Sequence, residues 1–456
     1  MSEISQRANT LAAFLDPLTR AQLQAVIERL ASDDEAIAAR IHYLVHAESA
    51  SEAIAHKIAS LDRARLSGTE GSDLVRTITG DIEMDVVPRD PVRALTLIEA
   101  LMECEVMLID RCHEDDFLGM AFEQAATLWL KAARQVRDRE AGSMATWMKR
   151  FEQLGGSVHH SLQSHLLKES ALLFDVDELR AVFDRLESLT FAVKDVPESQ
   201  EIPFLLRHPA WSMVDLAQAM RDPPLYARAL RVKSPQLLPH QRADIVRFYL
   251  DCKDAQGALH YLETTPDGPD EYSRRELLDR IYEQLGDRAR QIELRRARYI
   301  ESPSVWTYQA LQSLLDAAGQ EALRQEVSER ALSCSDLAMA VELLLTAGHF
   351  TRAQELLLTR WSQLGRISAA LERLAAQAIE KGYPLIAIML WRAGLNSILD
   401  RGSHKAYAEA AGYLLELRKL AGIDDYGGLP HHWDYERRLR ELHDRKTSFW
   451  PRVSRH

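Results

Sequence analysis

Apolar residues recur every three to four positions along most of this chain. In LTRAQLQAVIERLA, Leu23, Val26, Ile27 and Leu30 share one face of a helix. The same spacing links Leu95, Ile98, Leu101 and Met102, continues to Val106 and Ile109, and returns at Phe122, Ala126 and Trp129. No convincing run shows the period of two that marks a half-buried strand. The pattern predicts an all-α chain with little or no sheet.

Turns organise the second half. Between about Leu250 and Ile398, short turns fall at Lys253, Gly286, Gly319, Gly348 and Gly382, with spacings of 33, 33, 29 and 34 residues. A period near 34 is that of tetratricopeptide-like helical hairpins. Such hairpins stack because one alone cannot bury its apolar face. The expected fold is an α-solenoid of antiparallel helical hairpins preceded by a smaller N-terminal helical region. Composition predicts a loop at SGTEGSD (67–73), a Pro-interrupted boundary at VVPRDP (86–91) and a break at Gly155-Gly156. Pro197, Pro203 and Pro209 mark the main internal boundary, since proline removes a donor and disfavours helix before it. The expected regions are 1–88, 89–196 and a repeat domain with a C-terminal cap at 207–456.

Composition narrows the function classes. Ala, Leu, Arg and Glu dominate, which favours helix. The net charge of −12 repels a phosphate backbone, so nucleic-acid binding requires a local basic patch. Cys104, Cys112, Cys252 and Cys334 include no CxxC pair, so neither a disulfide framework nor a zinc ribbon is expected. MSEISQRANTLAAFL lacks the basic start and apolar run of a signal peptide, and no apolar stretch approaches a membrane span. The expected location is the cytoplasm.

The C-terminal segments PLIAIMLWRAGLNSILDRGSHKAYAEAAGYLLELRKLA and WDYERRLRELHDRKTSFW carry a resemblance. They are similar to a bacterial domain-of-unknown-function family whose tetratricopeptide-like half also occurs beside SWIM-type zinc fingers. HEDDFLG at 113–119 and VDLAQAMRDPPLYARAL extend the likeness upstream. The resemblance implies the fold and transfers no activity. This chain lacks the Cys/His pattern of a SWIM finger, so zinc and nucleic-acid associations do not carry over.

Several residues are chemical candidates. Arg392 sits among Leu385, Ile388, Met389, Trp391 and Leu395 on a helix apolar nearly all round. A buried guanidinium needs acceptors. The plain expectation is an ion pair with Asp400, Glu409, Glu416 or Asp434; the functional one is an anionic group on a ligand. The Tyr407 helix belongs to the segment that carries the resemblance. The tail offers His443, Arg445, Lys446 and Trp450, with seven Arg/Lys against four Asp/Glu over 431–456. It suits either a cap, with Phe449 and Trp450 covering the last hairpin, or phosphate and base contacts. Arg288, Arg290, Arg295, Arg296 and Arg298 form a second basic cluster, expected to be a solvated face. His42 and His46 stand at i, i+4 without the Glu of HExxH. His159, His160 and His165, or Cys104, Cys112 and His113, have no recognisable metal spacing. Glu114, Asp115 and Asp116 are expected to cap a helix rather than hold a cation or act as a base. No phosphate loop, GxSxG elbow or kinase signature is present.

The leading expectation is a non-catalytic scaffold for a protein or peptide partner, using the first helix of each hairpin, with no cofactor or metal. A nucleic-acid-associated factor using the basic tail is the second. An enzyme with a site between the N-terminal region and the repeats is the third.

Overall fold

The computed structural model describes residues 18–19, 22–23, 25–26 and 29, then 47–61, 67–112, 116–140, 143–190, 203–265, 268–364, 367–402, 404–424 and 426–454. His42, His46, His113, Glu114, Asp115 and Pro197 lie outside the described residues. The described residues form helices joined by turns and short loops, with no strand among them. No described helix is long and apolar enough to cross a membrane. The chain forms two compact units, Met1–Asp270 and Glu271–His456.

The first unit contains α1 (Ala47–Leu61), α2 (Gly68–Asp81), a π-helical turn (Ile82–Val86), α3 (Pro91–Glu103), α4 (Glu105–Cys112), α5 (Asp116–Glu140), α6 (Met144–Ser157), α7 (His160–Lys168), α8 (Val176–Thr190) and α9 (Phe204–Arg207). It continues with α10 (Pro209–Ala219), α11 (Pro223–Lys233), α12 (Pro239–Asp251) and α13 (Ala255–Thr264). The expected loop at 67–73 is instead the start of α2. Ser67 caps it and Glu70 returns a bond to the Ser67 backbone, so S-x-x-E here is a capping box. The expected break at Gly155-Gly156 is likewise helix. A Cβ on Gly155 would lie 2.3 Å from the Phe204 ring, so this glycine admits a neighbour rather than ending the helix. Phe151 meets Phe174 edge-on at 5.6 Å and Phe204 at 5.6 Å in the same core.

One turn geometry recurs. Arg221, Lys253, Gly286, Gly348 and Gly382 all have positive φ. The next residue's N–H reaches back five residues each time: Asp222 to Ala217, Asp254 to Tyr249, Asp287 to Tyr282, His349 to Leu344 and Tyr383 to Ala378, at 2.8–3.1 Å. This is the Schellman closure, which satisfies a terminal carbonyl through a left-handed residue. Arg221 adds a turn that the glycine count overlooks. Gly319 is the exception to the expected series. Its N–H bonds the Asp316 cap at 2.8 Å inside the first turn of a helix, and the chain reverses over 313–316 instead.

The second unit holds α14 (Glu271–Leu285), α15 (Arg288–Glu301), α16 (Val305–Gln312), α17 (Ala317–Ser333), α18 (Leu337–Thr346), α19 (Phe350–Arg360), α20 (Ala369–Glu380), α21 (Pro384–Arg401), α22 (Tyr407–Lys419), α23 (His432–Leu442) and α24 (Trp450–Ser454). One continuous apolar core runs from Tyr299 to Val453. Consecutive helices pack from α14 to α19 and again from α20 to α22, and α16 with α18, α18 with α20, α19 with α21, and α22 with α24 also touch. Pro384 opens α21 where a missing N–H costs nothing, and Gly402 closes it. This helix is buried nearly all round, as its composition requires. It packs against α19, α20 and α22 and carries Arg392 into the core.

Candidate functional site

Arg392 is 1 % exposed. The expected ion pair does not form among the described residues, because each expected acid has another partner. Asp400 lies 3.5 Å from His443, and Glu409 accepts from Tyr413 at 3.0 Å. Glu416 accepts from Lys419 at 2.6 Å and Asp434 from Arg437 at 2.7 Å. The Arg392 guanidinium instead lies over the Tyr435 ring at 4.3 Å and within 5.6 Å of Tyr426. Nη2 donates to the Pro430 carbonyl at 2.9 Å, while Nε and Nη1 have no hydrogen-bond partner among the described residues. Burial pulls its pKa down, with Tyr435 and Tyr426 opposing the shift. The group stays a cation, as arginine does in proteins.

The acceptor arrives on a special loop. Gly427 and Gly428 both take left-handed φ values, of 56° and 82°, which a β-carbon resists. That backbone path delivers Pro430 to Arg392 just before α23 begins. On α23, Tyr435, Arg438, Leu439 and Leu442 follow at helical spacing. On α21, Arg392, Asn396 and Asp400 stand four apart, and Asn396 Oδ1 accepts the Tyr435 hydroxyl at 2.8 Å.

These residues, with Trp361, Pro430 and His443, line a cavity of about 330 Å³. It holds two arginines, Arg392 and Arg438, and one carboxylate, Asp400. Burial pushes the His443 pKa down, opposed by Asp400 and assisted by Lys446. The imidazole is therefore neutral near pH 7, and the cavity keeps a formal excess of one positive charge.

Of the six candidate site residues only Arg392 and His443 line this cavity, joined there by Asp400, one of the acids expected to pair with Arg392. Tyr407 is 1 % exposed and meets Phe449 edge-on at 5.9 Å. Phe449 is fully buried. Trp450 donates its indole N–H to the His443 carbonyl at 2.9 Å and lies under Arg440 at 4.5 Å. Lys446 lies beside Gly402, where its charge faces the C-terminus of α21. Arg445 is exposed. Sequence reasoning missed Asn396, Tyr426, Pro430 and Arg438 as members of the site. The Tyr-Gly-Gly-Leu-Pro run and the i, i+4, i+8 series from Arg392 were the available signals.

The other clusters disperse. Arg295 is held by Asp279 at 2.8 and 2.9 Å, Arg296 by Glu326 at 3.1 Å, and Arg290 lies 3.5 Å from Asp287. Arg288 donates to the Leu314 carbonyl at 2.7 Å, and Arg298 covers Trp306 at 4.3 Å. His159 gives its backbone N–H to Glu105 at 2.6 Å, His160 stacks on His208 at 5.7 Å, and His165 meets Thr127 at 2.9 Å. No group of three or more metal-ligating side chains gathers among the described residues.

A family of unknown function, DUF6880, matches residues 213–452, more than half of the sequence. The chain belongs to this family. The DUF6880 match runs from Met213 in α10 to Arg452 in α24, so it contains every residue that lines the Arg392 cavity. No curated protein matches the chain, and no solved structure does.

Proposed function

We propose that this DUF6880 member is a non-catalytic helical-repeat scaffold, a tetratricopeptide-like α-solenoid, that docks an anionic group of a protein or peptide partner at Arg392. The observation that carries this reading is the buried guanidinium with two unpartnered nitrogens at a cavity of about 330 Å³. A buried polar group left without partners costs stability unless something else satisfies it. The recurrent Schellman turns at Arg221, Lys253, Gly286, Gly348 and Gly382 support the repeat part of the reading, since three of their intervals are 32–34 residues and the fourth, 62, is about twice that, as stacked hairpins of one length would give. The tail lends little to the nucleic-acid reading. Phe449 and Trp450 spend their ring faces on Tyr407, on each other and on Arg440. An enzyme reading built on Asp115 falls outside the described residues.

The test is selection of a random peptide library with free C-termini against the full chain. The expected result is enriched peptides with an acidic group and a Kd of about 1 μM. Absence of any enriched peptide across low and moderate salt would overturn the scaffold reading.

A further inference from the structure

The ligand chemistry of the Arg392 cavity is more specific than an anion. The guanidinium carbon lies 4.3 Å from the centre of the Tyr435 ring and Nη2 is held by the Pro430 carbonyl at 2.9 Å, so two contacts orient its N–H edges. A planar acceptor with two oxygens fits such an edge in a bidentate pair. The formal excess of one positive charge matches a monoanion. A dianion would leave one charge uncompensated in a partly desolvated space, and Asp400 would repel it. Trp361, Leu439 and Leu442 give the cavity an apolar wall. Asn396 has its oxygen committed to the Tyr435 hydroxyl, which leaves its Nδ2 as a donor for a carbonyl. The volume lies at the small end of ligand pockets, about 300–1,000 Å³, and suits the end of a chain better than a long segment.

We infer that the cavity binds the C-terminal residue of a peptide partner, with the terminal carboxylate on Arg392 and an apolar side chain against Trp361, Leu439 and Leu442. This deepens the scaffold reading and rests on it for the peptide, but the site itself is testable with fragments. The α-carboxylate supplies the monoanion. Asn396 Nδ2 takes the last peptide carbonyl. Arg438, exposed beside the cavity, adds attraction that salt screens.

The experiment follows the Arg392 Nε–H resonance in the full chain, labelled with ¹⁵N at arginine, assigned by its absence in Arg392→Met. N-acetyl-L-leucine, N-acetyl-L-leucinamide and inorganic phosphate are the probes. N-acetyl-L-leucine is expected to shift the resonance saturably with a Kd of about 1 mM, ordinary for so small a ligand. The amide and phosphate are expected to bind at least about tenfold more weakly, a gap that reports the lost carboxylate pairing. Phosphate binding as well as the acetylated leucine would overturn the carboxylate assignment, and so would equal binding by the amide. No shift with any probe would overturn the site. The peptides from library selection separate the two readings. If they bind the full chain but lose no affinity on C-terminal amidation or in Arg392→Met, this inference fails and the scaffold reading stands. If none is enriched while N-acetyl-L-leucine still binds at Arg392, the site stands and the scaffold reading fails.

Discussion

Replacing Arg392 by Met distinguishes an arginine kept for a ligand from one kept for the fold. The substitution preserves much of the side-chain volume and removes the charge. It relieves the desolvation of a guanidinium with two unpartnered nitrogens, about 4 kcal/mol as the low end of the several kcal/mol typical of a buried ion. It adds about 1.5–3 kcal/mol from burying the methionine side chain. Against that stand a charged hydrogen bond to Pro430, about 1.5–3 kcal/mol, and the desolvated cation–π contact with Tyr435, about 2 kcal/mol. The sum favours the variant by about 0.5–3.5 kcal/mol, in the range of the gain seen when other buried charges become apolar. For a unit of this size that raises Tm by about 1–14 °C. The assay is thermal unfolding of the ligand-free protein, followed by circular dichroism. A Tm lowered by several degrees would refute the reasoning and make Arg392 a stabilising member of the core.

Further outcomes follow from the same geometry. Gly348 has a φ of 85° with open space where a β-carbon would go, so Gly348→Ala is expected to cost about 1–2 kcal/mol from backbone strain alone. Lys253 holds the equivalent position at a φ of 65°, so Lys253→Gly is expected to raise stability by about 0.5–1 kcal/mol; both are read from thermal unfolding. Phe449→Ala removes a fully buried ring against Tyr407 and is expected to cost about 3–5 kcal/mol in denaturant titration. His432 is 1 % exposed, and burial lowers its pKa, with Arg392 and Arg418 assisting and Glu436 opposing. His432 therefore contributes stability that is present above about pH 6.5 and is lost as pH falls from there through its lower folded pKa. Unfolding measured from pH 7.5 to 5 is expected to show this loss, at no more than about 1.4 kcal/mol per pH unit, and His432→Gln should flatten it.

Much of the helical pattern was legible because burial of one face imposes a period of 3.6 on the sequence. Left-handed turns were legible at Gly286, Gly348 and Gly382, where glycine supplies the residue, and at Lys253, which the spacing located without one. They were missed at Arg221, where no glycine advertises the same closure, and misplaced at Gly319, where the Asp316 cap determines the geometry. The glycines of SGTEGSD and Gly155-Gly156 suggested breaks. Capping by Ser67 and close packing on Phe204 decided those places instead. Arg392 was recognisable because a charge on an all-apolar helix conflicts with its surroundings. Its environment was not, because the Tyr426–Pro430 loop and α23 reach it from about 40 residues downstream, and no local pattern encodes that contact.

The central claim is that Arg392 receives a carboxylate, and titration of its Nε–H resonance with N-acetyl-L-leucine and N-acetyl-L-leucinamide tests it most directly. The account predicts a saturable shift with the free acid and at least about tenfold weaker binding of the amide. Equal response to both, or response to neither, would contradict it.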